Sequence, residues 1–204
     1  MDSLVRGGYA VVPLSRVLER RAAGEPADRS ELAITFDDGY ADNFELAAPV
    51  LAQHRFPATF FVAAGLIDGT FDHGPARLAA LTRGQVAELS REPLFEVGSH
   101  GHTHVSLPEL DRPTLERELT QSRRTLQDLT GKPVRWVAYP YGSFDETTVR
   151  VAESAGYEDG LTVWTRDEGR FRRLRIPISA SDRVLGLGLK LGRLYFPLKR
   201  LFKR

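Results

Sequence analysis

The 204-residue chain contains no cysteine. This excludes disulfide bonds and zinc sites built from thiolates, but it does not decide the cellular compartment. About two-fifths of the residues are hydrophobic, which is enough to form one sizeable core. We therefore predict a single domain over residues 1–204.

Neither sign of charge predominates, because 28 Lys and Arg residues accompany 27 Asp and Glu residues and the net charge is +1. This balance gives no reason to expect nucleic acid or an acidic polymer as a partner. No run approaches the roughly 18 consecutive apolar residues of a membrane-spanning helix. The N-terminus also lacks the apolar stretch of a signal peptide, so the chain read from Met1 is expected in the cytoplasm.

Short apolar segments alternate with amphipathic stretches along the chain. This alternation is typical of an α/β fold with a largely parallel sheet. One helix is predicted to begin after Asp42, and the longest is predicted from Thr114 to Leu129 with Pro113 in its first turn. The predicted strands are 9–12, 32–36, 58–62, 95–98, 135–139, 160–164 and 174–178.

Two adjacent carboxylates, Asp37 and Asp38, follow the predicted strand 32–36 and precede Gly39. The chain is already turning at a strand end, so both side chains can reach one opening. Two carboxylates at such a short distance repel each other unless a cation or a shared proton stabilises them. The alternative is a turn with an Asx cap, because Asp and Gly are common turn residues.

Three of the five histidines, His100, His102 and His104, follow the predicted strand 95–98. A lone histidine is more often a structural residue than a ligand. A histidine cluster that accompanies a separate Asp pair is harder to explain by structure alone. Imidazole nitrogen and carboxylate oxygen together suit a borderline divalent ion such as zinc.

These two segments resemble motifs of the polysaccharide deacetylase family, which is also known as carbohydrate esterase family four. Residues 35–40 are similar to its first motif and residues 99–107 to its second. A third match, Ala-Tyr-Pro-Tyr-Gly at 138–142, is typical of one branch of the family. The resemblance covers residues 9–180. It implies an incomplete, distorted (β/α) barrel of roughly seven strands, with the site at the C-terminal ends of the strands.

The resemblance also implies roles for individual residues. Asp38, His100 and His104 would be metal ligands, with zinc as the expected ion and cobalt or nickel as alternatives. Asp37 would be the general base that takes a proton from the attacking water. The backbone N–H of Tyr141 would stabilise the oxyanion that forms on the acyl group.

The same resemblance places Tyr139, Pro140 and Tyr141 along the substrate groove. His73 lies in a loop rich in Gly and Pro, from which it could overhang this groove, although most loop histidines have no functional role. His102 falls between the two histidine ligands and has no role in the family pattern.

The residue that protonates the amine leaving group is missing from the pattern. Many family members use a histidine in a late Leu-x-His motif, but no histidine follows His104. In the Ala-Tyr-Pro-Tyr-Gly branch, the acid comes from an N-terminal segment upstream of where this chain begins. Three explanations stay open: a misassigned or truncated start, a substitute acid (His73 or His102), or an impaired enzyme.

Residues 183–204 form a basic, apolar tail without acidic residues. Its Leu and Phe residues with interspersed Lys and Arg are compatible with an amphipathic helix that contacts an anionic membrane peripherally. For the part before Pro197 we favour the alternative, a terminal helix that packs on the barrel and exposes its basic face to solvent.

Together these features predict a metal-dependent hydrolase that removes N-acyl groups, expected to be N-acetyl, from amino sugars of a polysaccharide or glycan precursor. One alternative is a deformylase or deacetylase of a lipid-linked sugar, which the basic tail would suit. Another is a catalytically impaired glycan-binding domain. The missing acid favours that alternative, and the intact metal set opposes it.

Overall fold

The computed structural model describes residues 1, 4, 6–28, 30–73, 76–163, 169–179, 182, 190 and 191. It consists of two compact units, residues 1–174 and residues 175–204. All the strands described lie in the first unit. The assignment of the whole chain to a single domain stays a prediction.

The first unit alternates strands and helices, as the sequence predicted. Its helices are α1 (Leu14–Ala22), α2 (Ala48–Gln53), α3 (Arg83–Arg91), α4 (Arg112–Thr130) and α5 (Glu146–Ser154). Its strands are β1 (Ala10–Val11), β2 (Glu31–Leu32), β3 (Ile34–Phe36), β4 (Ala58–Val62), β5 (Thr70–His73), β6 (Ala76–Ala79), β7 (Phe95–Ser99), β8 (Trp136–Ala138), β9 (Asp159–Thr162) and β10 (Arg173–Leu174).

A six-stranded parallel sheet lies at the centre of this unit. Its strand order is β10, β9, β8, β7, β4, β3, and every neighbouring pair is parallel. The sheet curls into a half-barrel, so the prediction of an α/β fold with a distorted, incomplete barrel is confirmed. The C-terminal ends of all six strands consequently lie at one edge.

Both faces of the sheet are buried, and β4 shows how. Phe60 and Val62 face the core that the sheet forms with α2, α3, α4 and α5. Phe61 faces the other way, where Leu14 and Leu18 of α1 cover the sheet. This is why all five residues of the strand are buried, rather than every second one.

Helix α4 is longer than predicted by two residues at its start and one at its end. Asp111 caps its first turn by accepting a hydrogen bond of 2.8 Å from the Thr114 N–H, and Pro113 lies in that turn. The helix ends at Gly131, whose φ of +65° is left-handed.

The observed elements differ from the predicted ones in several places. The predicted strand at 9–12 pairs with β2 instead of joining the six-stranded sheet, and Pro13 ends it at the start of α1. The loop predicted around His73 contains an antiparallel hairpin, β5 with β6. The helix expected after Asp42 forms, but its first turn, Asn43–Ala47, is a π-helix.

The predicted tail, 183–204, lies outside the described residues except for Lys190 and Leu191. The Lys190 ammonium lies 2.6 Å from the Asp182 carboxylate. Among the residues that are described, no helix has the length and apolar character needed to cross a membrane. Contact between the tail and an anionic membrane stays a prediction.

Candidate active site

The three sequence motifs meet at the C-terminal edge of the six-stranded sheet. Asp37 and Asp38 follow β3, His100 follows β7, and Tyr139 follows β8. The end of β4 joins the first two motifs, because the Ala63 N–H donates to the Asp38 carbonyl at 3.0 Å and the His100 N–H donates to the Val62 carbonyl at 2.9 Å. The predicted placement at strand ends is therefore confirmed.

Asp38, His100 and His104 form a compact cluster at this edge. Asp38 Oδ1 lies 3.2 Å from His100 Nε2 and 3.0 Å from His104 Nε2. One ligand atom from each of the three residues lies within 4.8 Å of the other two. His100 is almost fully buried, whereas Asp38 and His104 are partly accessible to solvent.

The chemistry of this donor set fits a divalent cation. His100 Nδ1 lies 2.8 Å from the Ala138 carbonyl, which can only accept a hydrogen bond, so Nδ1 carries the proton of the neutral ring. Nε2 then presents a lone pair toward the Asp38 carboxylate. The lone pair and the carboxylate repel each other, and a cation bound between them would remove this repulsion. Histidine ligands of metals usually donate their other ring N–H to a backbone carbonyl or carboxylate, as His100 does here.

Tyr40 supports the carboxylate of this cluster. Its hydroxyl forms a hydrogen bond with Asp38, and burial together with the charge of Asp38 raises the pKa of Tyr40 above its ordinary value. Burial also raises the pKa of Asp38, but the hydrogen bonds that His100 and His104 donate when their rings are protonated outweigh burial and hold that pKa well below its usual range. Asp38 is therefore a carboxylate and Tyr40 a neutral donor at physiological pH.

Three residues of the site have left-handed backbone conformations although they carry side chains. The φ angles are +72° at Asp38, +59° at His104 and +60° at Tyr141. Each such position costs about 1 kcal/mol or more, and residues held this way concentrate at functional sites. These left-handed residues turn the chain sharply in all three motifs. Asp38 lies just after β3, His104 lies in the loop after β7, and Tyr141 lies just after β8.

The third motif contributes one exposed and two buried side chains. Tyr141 is 61% exposed, and its ring centroid lies 4.9 Å from that of His104. Tyr139 is fully buried and its hydroxyl donates to the Phe171 carbonyl at 3.0 Å. Pro140 is buried as well. A substrate can therefore reach the Tyr141 side chain, whereas Tyr139 is buried as a whole residue and is not accessible from solvent.

Asp37 lies beside the cluster, half-buried, in the tight turn after β3. Its carbonyl accepts hydrogen bonds from the Gly39 N–H at 2.9 Å and from the Asn43 side chain at 3.5 Å. Gly39 has a φ of +91°, and an added Cβ would lie 3.0 Å from Val62 Cγ1, so this turn favours glycine. The role of Asp37 as general base stays a prediction.

The two candidate acids differ in how they are placed. His102 packs against Gly65, whose N–H donates to the His102 carbonyl at 2.8 Å, and within the described part of the chain its buried Nδ1 has no hydrogen-bond partner. His73 is the last residue of β5, but its side chain lies outside the described residues.

Two features of the site were not predicted. Phe71 of β5 packs edge-on against His104, with ring centroids 5.9 Å apart, and its ring centroid lies 4.5 Å from that of Tyr40. The hairpin therefore forms one wall of the site. Glu118 of α4 is buried and accepts hydrogen bonds from the loop that carries the histidines. The neighbouring sequence gives no indication that Phe71 and Glu118 belong to the site, because a Phe in a loop and a Glu in a helix are both common.

Comparisons with known proteins agree with the motifs. A family model described as polysaccharide deacetylase matches residues 24–160. The protein YxkH of Bacillus subtilis strain 168, which carries the same family name, is 30% identical over 159 residues, or 76% of this chain and 53% of that protein. Poly-beta-1,6-N-acetyl-D-glucosamine N-deacetylase of Staphylococcus aureus strain MSSA476 is 25% identical over 138 residues, or 64% of this chain and 47% of that protein.

The fold is also similar to a solved structure. Streptococcus pyogenes deacetylase PplD in complex with acetate superposes with a TM-score of 0.80 at 23% identity, covering 94% of this chain and 83% of that chain. The present chain spans about half the length of the curated relatives it matches. The family model covers most of the barrel and includes all three motifs, so the chain belongs to the polysaccharide deacetylase family.

Proposed function

We propose that this chain is a metal-dependent hydrolase that removes N-acetyl groups from amino sugars of a polysaccharide. The observation that carries the proposal is the convergence of Asp38, His100 and His104 at the strand ends, directly beside Asp37. Membership of the family and the activity named for the Staphylococcus aureus relative support an N-acetylglucosamine polymer as the substrate.

All steps of amide hydrolysis except protonation of the leaving amine can be assigned to residues at this edge. A divalent ion held by Asp38, His100 and His104 would supply Lewis acidity toward the acyl carbonyl and acidify water. The Asp37 carboxylate would remove the proton of the attacking water. The Tyr141 backbone N–H would donate to the developing oxyanion, a contribution of roughly 3 kcal/mol in comparable sites.

The proton for the amine leaving group needs a separate donor. The buried Nδ1 of His102 cannot reach solvent or a substrate, so only its Nε2 could serve. That nitrogen would lie 2.9 Å from a Cβ added at Gly65, which places it against the turn that follows β4. The candidate donors are therefore His73, His102 and a group outside this chain.

The exposed position of Tyr141 supports a polymer substrate. Its ring lies beside His104 and offers a flat apolar surface to solvent next to the proposed metal ligands. Sugar-binding sites need such surfaces because ligand sites combine apolar area with a few oriented polar groups. A site enclosed on all sides would instead suit a small precursor.

The test is acetate release from N-acetylglucosamine oligomers with β-1,6 and with β-1,4 linkages. Protein stripped of metal is assayed before and after addition of zinc or cobalt. We expect activity only after metal addition, and we expect Asp37→Asn to lower kcat by about 10²- to 10⁴-fold while metal affinity is retained. Asp128→Asn makes the same chemical change on the exposed face of α4 and serves as the matched control.

The possible outcomes separate the alternatives. Metal binding without acetate release from any oligomer would refute the hydrolase and favour a glycan-binding domain. Release that does not depend on metal would refute the roles of Asp38, His100 and His104. Full activity of Asp37→Asn would refute the general base.

A further inference from the structure

Glu118 is a buried carboxylate in the middle of α4 that the proposed chemistry does not use. Only 7% of the residue is exposed, and its neighbours on the buried face of the helix include Leu115 and Leu119. A carboxylate is costly to bury unless several donors compensate for the lost water. The donors of Glu118 therefore indicate what the residue is for.

The donors found in the described part of the chain lie between the two histidine ligands. The His102 N–H donates to Glu118 Oε1 at 2.7 Å, and the Thr103 N–H donates to the same oxygen. The Thr103 hydroxyl lies 3.1 Å from each carboxylate oxygen. Two successive backbone N–H groups that point at one anion form a nest, and here the anion belongs to the protein itself.

One turn further along α4, Ser122 holds the start of the same loop. Its hydroxyl donates to the Gly101 carbonyl at 2.8 Å and lies 2.7 Å from the Ser99 hydroxyl. Glu118 and Ser122 thus present two polar groups from one face of the helix to residues 99–103. A Cβ added at Gly101 would lie 3.3 Å from Glu118 Oε1, so the carboxylate lies directly against the loop.

The loop needs such support because it does not belong to the sheet. It begins at His100, passes through Gly101 with a φ of +75° and reaches His104 with a φ of +59°. Left-handed residues interrupt regular hydrogen bonding and must be held in place by their surroundings. The spacing of the two Nε2 atoms around Asp38 therefore depends on what fixes residues 102 and 103.

We infer that Glu118 is a positioning residue for the metal site: its carboxylate fixes the His102–Thr103 backbone and thereby sets the distance between the His100 and His104 ligands. This inference rests on the proposed metal site but not on the identity of the substrate. An apolar residue of similar volume could fill the same space in the core, so packing alone does not require a charge here.

The experiment measures metal affinity without substrate. Zinc affinity is determined by competition with a chromophoric chelator, and the visible absorption of bound cobalt reports the ligand geometry. The variants are Glu118→Leu, which removes both acceptors, and Glu118→Gln, which keeps the volume and one oxygen. Glu116→Gln is the matched control, because Glu116 is exposed on the same helix and pairs with Arg112.

We expect Glu118→Leu to lower zinc affinity by about tenfold to a hundredfold and to change the cobalt spectrum, because supporting partners of metal ligands have effects of this size. Glu118→Gln should lower affinity by about threefold to tenfold, and Glu116→Gln should leave it unchanged. Circular dichroism of the metal-free variants checks that each one is folded.

A folded Glu118→Leu variant with the affinity and cobalt spectrum of the unmodified chain would overturn the inference. If that variant does not fold, a Glu118→Gln variant with unchanged affinity would overturn it instead. An unmodified chain that binds zinc but releases no acetate would refute the proposed hydrolase and leave this inference intact.

Discussion

Replacing Gly98 by alanine tests how the two central strands fix the site. Gly98 lies in β7 opposite Phe61 of β4. A Cβ added at Gly98 would lie 2.4 Å from Phe61 Cε1 and 2.5 Å from Cδ1, closer than real Cβ atoms approach other atoms. His100 follows two residues later, so a shift of β7 would reach the proposed metal site.

Two opposing effects determine the size of the change. Alanine restricts the unfolded chain, which stabilises a protein by about 0.4–1 kcal/mol where the native conformation allows it. Overpacking a dense core costs about 1–3 kcal/mol. Phe61 is fully buried against Leu14, Leu18 and other residues of the second core, so its ring cannot move away freely. The clash should therefore dominate.

We expect Gly98→Ala to lower the free energy of unfolding by about 1–2 kcal/mol. In a chain of this size, that corresponds to a fall in Tm of roughly 2–8 °C. Urea denaturation monitored by circular dichroism measures the loss. Gly84→Ala is the control, because Gly84 is exposed in α3 and the nearest atom to its added Cβ, Thr82 Oγ1, is 3.8 Å away. That change should be neutral or stabilising by up to about 1 kcal/mol.

A double-mutant cycle separates the clash from other effects. Phe61→Val removes both ring atoms that the new methyl group would meet. The pair Gly98→Ala and Phe61→Val should then be more stable than the sum of the single losses by at least about 0.5 kcal/mol, as is typical of residues in contact. Additive losses, or a Gly98→Ala variant as stable as the unmodified chain, would refute the reasoning.

Two further predictions concern the metal site and the buried ion pair. Zinc affinity should fall as pH is lowered, because protons compete with the metal for the imidazole nitrogens of His100 and His104; calorimetry at several pH values measures this, and a constant affinity would contradict it. Asp159→Ala should cost about 3–5 kcal/mol in urea denaturation, because Asp159 is 3% exposed and accepts hydrogen bonds from the Phe171 N–H at 2.6 Å and from Arg173 Nε at 3.0 Å. A loss below about 1 kcal/mol would show that Arg173 finds another partner.

The parts of the site that could be predicted are those encoded locally. Asp37 and Asp38 directly follow β3, and His100 directly follows β7, so a strand and its ligands lie within a few residues of sequence. Parallel strands place their C-terminal ends at one edge, and this rule alone brings the two motifs together. Each predicted strand overlaps an observed one, but the predicted strand 32–36 is divided between β2 and β3, and the predicted strand 174–178 is observed only as β10, Arg173–Leu174.

The parts that could not be predicted depend on contacts between distant residues. The hairpin of β5 and β6 follows a segment with several turn residues, and its Phe71 contacts His104 across more than thirty positions of sequence. The first predicted strand joins β2 rather than the main sheet, because pairing partners of short strands are decided by the rest of the fold. The sequence pattern indicated a strand but not its neighbour.

Glu118 shows why the geometry of a site is harder to predict than its ligands. A glutamate in a predicted helix is normally exposed, and its sequence offers no sign that it lies against residues 102 and 103. Yet the distance between two histidine ligands depends on the backbone that joins them, and that backbone is held by a helix which begins only after the motif has ended. Ligand identity is thus a local property of this chain, whereas ligand geometry is a property of its packing. Substitutions of Glu118 and Ser122, the α4 residues that hold this loop, should therefore change metal affinity although they touch none of the proposed ligands.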